Sequence, residues 1–141
     1  MTARERTEVA SLAEFERWAT GFAATLVPGD VVALEGELGA GKTTFVAAVA
    51  RALGNADEVA SPTFVFRHRY AGPTPIEHLD LYRIDDPREA RELGLEDAFS
   101  ADTITFVEWP GRLPELVPAR HIRITIGGSG DGPRTLDVRR S

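Results

Sequence analysis

Residues 31–54 read VVALEGELGAGKTTFVAAVARALG, and their pattern decides the fold. Val31 to Leu34 form the short apolar run of a buried strand. Phe45, Val46, Val49, Ala50 and Leu53 recur at helical spacing, and Gly54 stands where a helix C-terminus favours glycine. Between them Gly36, Gly41, Lys42 and Thr43 fit G-x-x-x-x-G-K-[ST], the phosphate-binding loop. Glycines let such a loop curl so that backbone N–H groups face phosphate oxygens, and the helix N-terminus behind it adds a favourable dipole. Lys42 is the only lysine among 16 basic residues, the rest being arginine. A compact ammonium reaches between phosphates in a way a planar guanidinium does not. The Thr43 hydroxyl is the expected magnesium ligand.

The flanking sequence supplies the other elements. Ser11 to Glu14 resembles a capping box, and Leu12, Phe15, Ala19, Phe22 and Leu26 predict one apolar helix face, ended by Pro28-Gly29-Asp30. Residues 64–70 and 76–84 read as strands of a hairpin joined by AGPTP. Pro87 opens a short helix to Leu93, and Thr103 to Glu108 is another strand. The three prolines of WPGRLPELVP impose a loop or broken turn. His121–Ile126 and Thr135–Arg139 form a closing hairpin around GGSGDGP. The expected fold is α/β: one domain, 1–141, with a P-loop NTPase-like sheet, a parallel nucleotide-binding centre and antiparallel hairpin additions.

Composition narrows the function. There are no cysteines, which removes thiol catalysis, disulfides and cysteine-ligated zinc. A net charge of −6 and a pI near 5.1 oppose direct, charge-driven nucleic-acid binding. The first ten residues mix Glu and Arg without an apolar stretch, and apolar runs are short. The expectation is a cytoplasmic, soluble protein without a signal peptide or membrane contact.

A phosphate-binding loop that works on magnesium needs a carboxylate at a neighbouring strand end and a means of positioning water. Glu108 ends the strand from Ile104, and Asp80 lies in His78-Leu79-Asp80-Leu81-Tyr82. Either could instead be a solvated acid or a partner of Arg83 or Arg112, but a working site requires at least one. Ser61-Pro62-Thr63-Phe64 follows the loop's helix, where phosphate-sensing segments lie; a plain turn is the simpler reading of those residues alone. Trp109 reads as packing, and His68, His78 and His121, which lack metal-ligand spacing, read as structural.

GELGAGKTTF, SPTF, HLDLYRI and VEWPGRL resemble, in order and spacing, the TsaE (formerly YjeE) family, P-loop ATPases of bacterial tRNA threonylcarbamoyladenosine biosynthesis. The resemblance runs from about Ser11 to the last strand. It implies that Lys42 and the backbone of Gly39, Ala40, Gly41, Thr43 and Thr44, with Gly36 shaping the loop, bind the phosphates of ATP. It implies that Thr43 and Glu108 hold Mg²⁺, that Asp80 is a catalytic acid, that Thr63 belongs to a mobile switch and that Trp109 lies beside the site. Leu12 and Arg134 are candidates for the adenine pocket. The implied partner is a TsaB–TsaD protein complex that makes t6A37, with tRNA met only through that pair and the ATPase resetting it between turnovers.

Three other functions compete. A GTPase of the usual kind needs an [NT]-K-x-D motif, and the only lysine is already in the P-loop. A small-molecule kinase needs an acceptor pocket and a lid, for which Arg83, Arg88 and Arg91 are the available arginines. A nucleotide-sensing module without turnover has no need of both Asp80 and Glu108.

Overall fold

The computed structural model describes residues 3–55 and 66–140. The Ser61–Phe64 segment, and Thr63 with it, lies outside the described residues. The chain forms β1 (Ala3–Val9), α1 (Leu12–Ala23), β2 (Val31–Glu35), α2 (Lys42–Ala52), β3 (Arg67–Tyr70), β4 (Ile76–Asp80), α3 (Pro87–Glu92), β5 (Ile104–Glu108), β6 (Ile122–Gly127) and β7 (Arg134–Arg140). All seven strands join one sheet in the order β1-β7-β6-β2-β5-β4-β3. Pairs β2–β5, β2–β6 and β4–β5 are parallel. Pairs β1–β7, β6–β7 and β3–β4 are antiparallel. The fold is therefore α/β with a parallel centre and antiparallel flanks.

Helix α1 starts where Ser11 accepts a hydrogen bond from the Glu14 N–H, while Glu14 Oε2 accepts from the Ala10 N–H. It buries Phe15, Ala19 and Phe22 in the apolar layer it shares with α2. Leu12, expected on that apolar face, is instead 62% exposed at the helix mouth. The central strands are covered on both faces. Val32, Leu34, Ile76, Ile104 and Phe106 pack under α1 and α2. Val31, Leu79, Leu81 and Val107 pack with Ala90, Leu95 and Leu113 on the other side. Phe45 is the hub of the first layer, with Phe15, Trp18, Phe22 and Phe106 ring centroids 5.6–6.3 Å away.

The structure adds one element, shortens one expected strand and gives the proline-rich turn its form. The segment from Ala3 to Val9 is a strand, paired with β7 from Ala3↔Arg140 to Val9↔Arg134, although its alternating charges give no apolar period. The strand expected over 76–84 stops at Asp80, whose Oδ1 accepts from the Tyr82 N–H at 2.9 Å and turns the chain. The proline-rich stretch after Glu108 winds into two 3-10 turns, Pro110–Arg112 and Pro114–Leu116. Among the described residues no helix is long and apolar enough to cross a membrane.

The packing around Phe45 makes a direct prediction. Phe45→Ala should lower unfolding free energy by ~3–5 kcal/mol, the usual loss for emptying a fully buried aromatic site. Urea denaturation followed by circular dichroism measures it.

Candidate functional site

The site is built at the carboxyl ends of β2, β5 and β4. Parallel pairing sets Leu34 opposite Glu108 and Asp80 opposite Glu108. Side chains alternate along a strand, so Ile76, His78 and Asp80 share one face of β4, and Ile104, Phe106 and Glu108 share the matching face of β5. That face looks toward α2, because Ile76, Ile104 and Phe106 belong to its apolar layer.

The chain leaves β2 through Gly36 and enters α2 at Gly41. A Cβ at Gly36 would stand 2.7 Å from the Ile126 carbonyl oxygen, so only glycine permits this close passage. Gly41 has φ 111°, a left-handed conformation that L side chains rarely adopt, and a Cβ there would meet the Phe15 ring at 3.3 Å. The loop thus delivers α2 with its first residues beside the strand ends. Thr43 Oγ1 donates to Glu108 Oε2 at 3.1 Å. Lys42 Nζ donates to the carbonyls of Gly36 at 2.5 Å and Glu37 at 3.0 Å, and lies 4.3 Å from the Trp109 ring centroid. Burial pushes the Lys42 ammonium below its ordinary range, and the negative charges of Glu108 and Asp80 draw it part of the way back.

Lys42, Thr43, Thr44, Asp80 and Glu108 line one cavity of about 430 Å³, with Leu38, Gly39, Gly41, Tyr82, Arg83 and Trp109. A second cavity of about 270 Å³ adjoins it, sharing Gly39, Gly41 and Thr44. Leu12, Phe15, Ala40 and Arg134 line this one, with the turn at Gly130–Gly132. Arg134 ties that turn to the loop, donating to the carbonyls of Ala40 at 2.8 Å, Gly132 at 2.7 Å and Gly130 at 2.8 Å. The two cavities adjoin across the loop and make one cleft: Lys42, Asp80, Arg83 and Glu108 line one part, and Val9, Leu12, Phe15 and Arg134 the other. Its glycine-rich loop at a helix N-terminus suits anionic groups. The hydroxyl of Thr43 and the carboxylate of Glu108 are hard oxygen donors of the kind that hold a small divalent cation.

Every site residue expected from sequence within the described residues lines this cleft or shapes its loop. Sequence reasoning missed the surroundings of Glu108. His78, read as structural, places Nε2 2.5 Å from Glu108 Oε2, and Tyr70 Oη lies 2.9 Å from His78 Nδ1. The available signal was spacing, since His78 stands two residues before Asp80 and so shares its face of the strand. Trp109, read as packing from the residues alone and set beside the site by the resemblance, adopts φ 58°, lies tilted at 46° to Tyr82 with ring centroids 4.8 Å apart, and sits under Lys42.

Known proteins share this architecture. A family model described as "Threonylcarbamoyl adenosine biosynthesis protein TsaE" matches residues 9–136. The tRNA threonylcarbamoyladenosine biosynthesis protein TsaE of Bacillus subtilis (strain 168) is 42% identical over 115 residues, covering 81% of this chain and 72% of that protein. The protein of the same name from Rickettsia bellii (strain RML369-C) is 37% identical over 127 residues, covering 89% and 88%. The crystal structure of Bacillus subtilis YdiB superposes with a TM-score of 0.83 at 33% identity, covering 99% of this chain and 87% of that one. With nearly its whole length matched in sequence and in fold, this chain belongs to the TsaE family.

Proposed function

We propose that this chain binds ATP with magnesium and hydrolyses it slowly, in the service of tRNA N6-threonylcarbamoyladenosine formation in the cytoplasm. Its action is on a TsaB–TsaD protein complex; it does not transfer the threonylcarbamoyl group itself. The observation that carries this reading is the meeting of Lys42, Thr43, Asp80 and Glu108 in one cleft. The names of its relatives supply the pathway.

In this reading the phosphates lie along the backbone from Gly39 to Thr44, and Lys42 exchanges two loop carbonyls for phosphate oxygens. Adenine occupies the second cavity, beside Leu12, Phe15 and the aliphatic stem of Arg134. Thr43 and Glu108 would hold magnesium, whose contribution is to neutralise charge across the β- and γ-phosphates. Asp80, with its carboxylate oriented by the Tyr82 N–H, positions the attacking water. The water oxygen bonds to the γ-phosphorus, the bond to the β–γ bridging oxygen breaks, and ADP and inorganic phosphate leave. Thr63 is assigned to a switch segment by resemblance alone. The net charge of −6 fits a division of labour in which the partner complex holds the tRNA.

Three measurements test the reading. Lys42→Ala should weaken MgATP binding by ~10–10²-fold, the worth of a charge-assisted contact, with an unchanged circular dichroism spectrum; calorimetric titration reads the affinity. Asp80→Ala should retain ATP but lose ~10²-fold or more in turnover, because a water-positioning group acts mainly in the transition state; phosphate release reads it. ATP turnover should rise when purified TsaB–TsaD is added, and multiple-turnover tRNA modification should require this chain. Modification that proceeds equally without the chain, or with Lys42→Ala in its place, would overturn the proposed role.

A further inference from the structure

The proposed chemistry leaves a buried polar chain beneath the site without a task. Tyr70 in β3, His78 in β4 and Glu108 in β5 are respectively 2%, 0% and 3% exposed. The register places Tyr70 opposite Ile76 and Phe106 opposite His78, so Tyr70, His78 and Glu108 lie on successive diagonals of the sheet face under α2. Their polar atoms connect: Tyr70 Oη to His78 Nδ1 at 2.9 Å, then His78 Nε2 to Glu108 Oε2 at 2.5 Å. The same Oε2 accepts from Thr43 Oγ1 at 3.1 Å.

Donor and acceptor chemistry gives the chain a direction. An ionised carboxylate only accepts hydrogen bonds, so Nε2 carries the proton it shares with Glu108. In that tautomer Nδ1 is the acceptor, and the Tyr70 O–H donates to it. The far end of the chain is anchored as well, since Asn55 Nδ2 donates to the Tyr70 carbonyl at 3.0 Å and to the Thr74 carbonyl at 3.1 Å. Glu108 Oε2 is therefore clamped between a ring fixed in the sheet and a hydroxyl at the start of α2. A residue present only to fill the core under α2 would not need to aim a ring nitrogen at the one carboxylate that meets Thr43.

We propose that His78, braced by Tyr70 at its other ring nitrogen, is a positioning residue that holds the Glu108 carboxylate in the orientation required to bind magnesium with ATP. This rests on the assignment of Glu108 as a magnesium ligand given above. Partners that orient a metal-binding side chain are worth ~10–100-fold in metal affinity.

Calorimetric titration of ATP across a magnesium series, and in EDTA, separates metal-dependent from metal-independent binding. His78→Phe keeps the ring and removes both nitrogens. It should raise the magnesium concentration needed for tight binding by ~10-fold or more while leaving ATP affinity in EDTA unchanged. His78→Gln, whose amide can restore a donor near the Nε2 position, should recover most of that loss. Tyr70→Phe should cost about 2–10-fold, the worth of one neutral hydrogen bond, and decides the matter if His78→Phe does not fold. Glu108→Ala is the control on the underlying assignment. If Glu108→Ala weakens the magnesium dependence and a folded His78→Phe does not, the positioning role is wrong and the ligand assignment stands. If His78→Phe lowers affinity equally with and without magnesium, or His78→Gln restores nothing, the histidine is only structural. If Glu108→Ala has no effect, the ligand assignment fails and this proposal with it.

Discussion

Backbone hydrogen bonding between β2 and β5 sets Leu34 opposite Glu108, and between β5 and β4 sets Glu108 opposite Asp80. Because side chains alternate with a period of two, that register also fixes which face each acid looks toward. A slip of one residue in β5 would carry Glu108 to the opposite layer and bring Val107 under α2. The loop from Gly36 to Gly41 then has one task, to return the chain over its own strand so that Thr43 arrives above Glu108. Packing around Phe45 holds α2 at that height. The chemistry of the cleft is thus inherited from the pairing of the central strands.

How much of this was legible in sequence varies by element, for physical reasons. The β2–loop–α2 unit could be read because its glycines, lysine and apolar spacing each answer a local demand of geometry or charge. Helix α1 could be read from Ser11 and Glu14, which cap its start by accepting from the Glu14 and Ala10 N–H groups. Strand β1 could not, because its charges alternate without an apolar face and it is held by backbone bonds to β7, more than a hundred residues away. The end of β4 was overrun because Leu81 and Ile84 are buried and apolar after the chain has already turned at Asp80. His78 was visible as a residue but not as a partner of Glu108, since that contact depends on the parallel pairing of two strands separated by α3.

Three acids on β4 and β5 are nearly buried, and their partners differ in kind. Glu77 receives Arg67 through two contacts of 2.9 Å and Arg69 at 3.0 Å, so its charge is matched by guanidinium groups from the adjacent strand. That arrangement fastens the β3–β4 hairpin. Glu108 has no arginine or lysine ion pair among the described residues; its donors are a threonine hydroxyl and an imidazole nitrogen. Such donors offset desolvation of the carboxylate without cancelling its charge. Asp80 receives the backbone N–H of Tyr82. On β4 and β5, then, Glu77 is matched by guanidinium groups and fastens strands, while Glu108 meets a hydroxyl and an imidazole in the wall of the cleft.

Among the described residues the outer strands of the sheet, β1 and β3, carry the sequences ARERTEV and RHRY. An outermost strand presents unpaired backbone groups that can recruit a strand from another molecule, and runs of charge along it are a known obstacle to such recruitment. Arg4 is drawn to Asp137 and Arg67 to Glu77, each reaching back over its inner neighbour. An approaching copy of the same strand would have to displace these pairs and strip water from the remaining arginines and glutamates before its backbone could add to the sheet. The chain thereby guards against fibre-like growth at the strands most open to it, at no expense to the apolar layers that the cleft rests on.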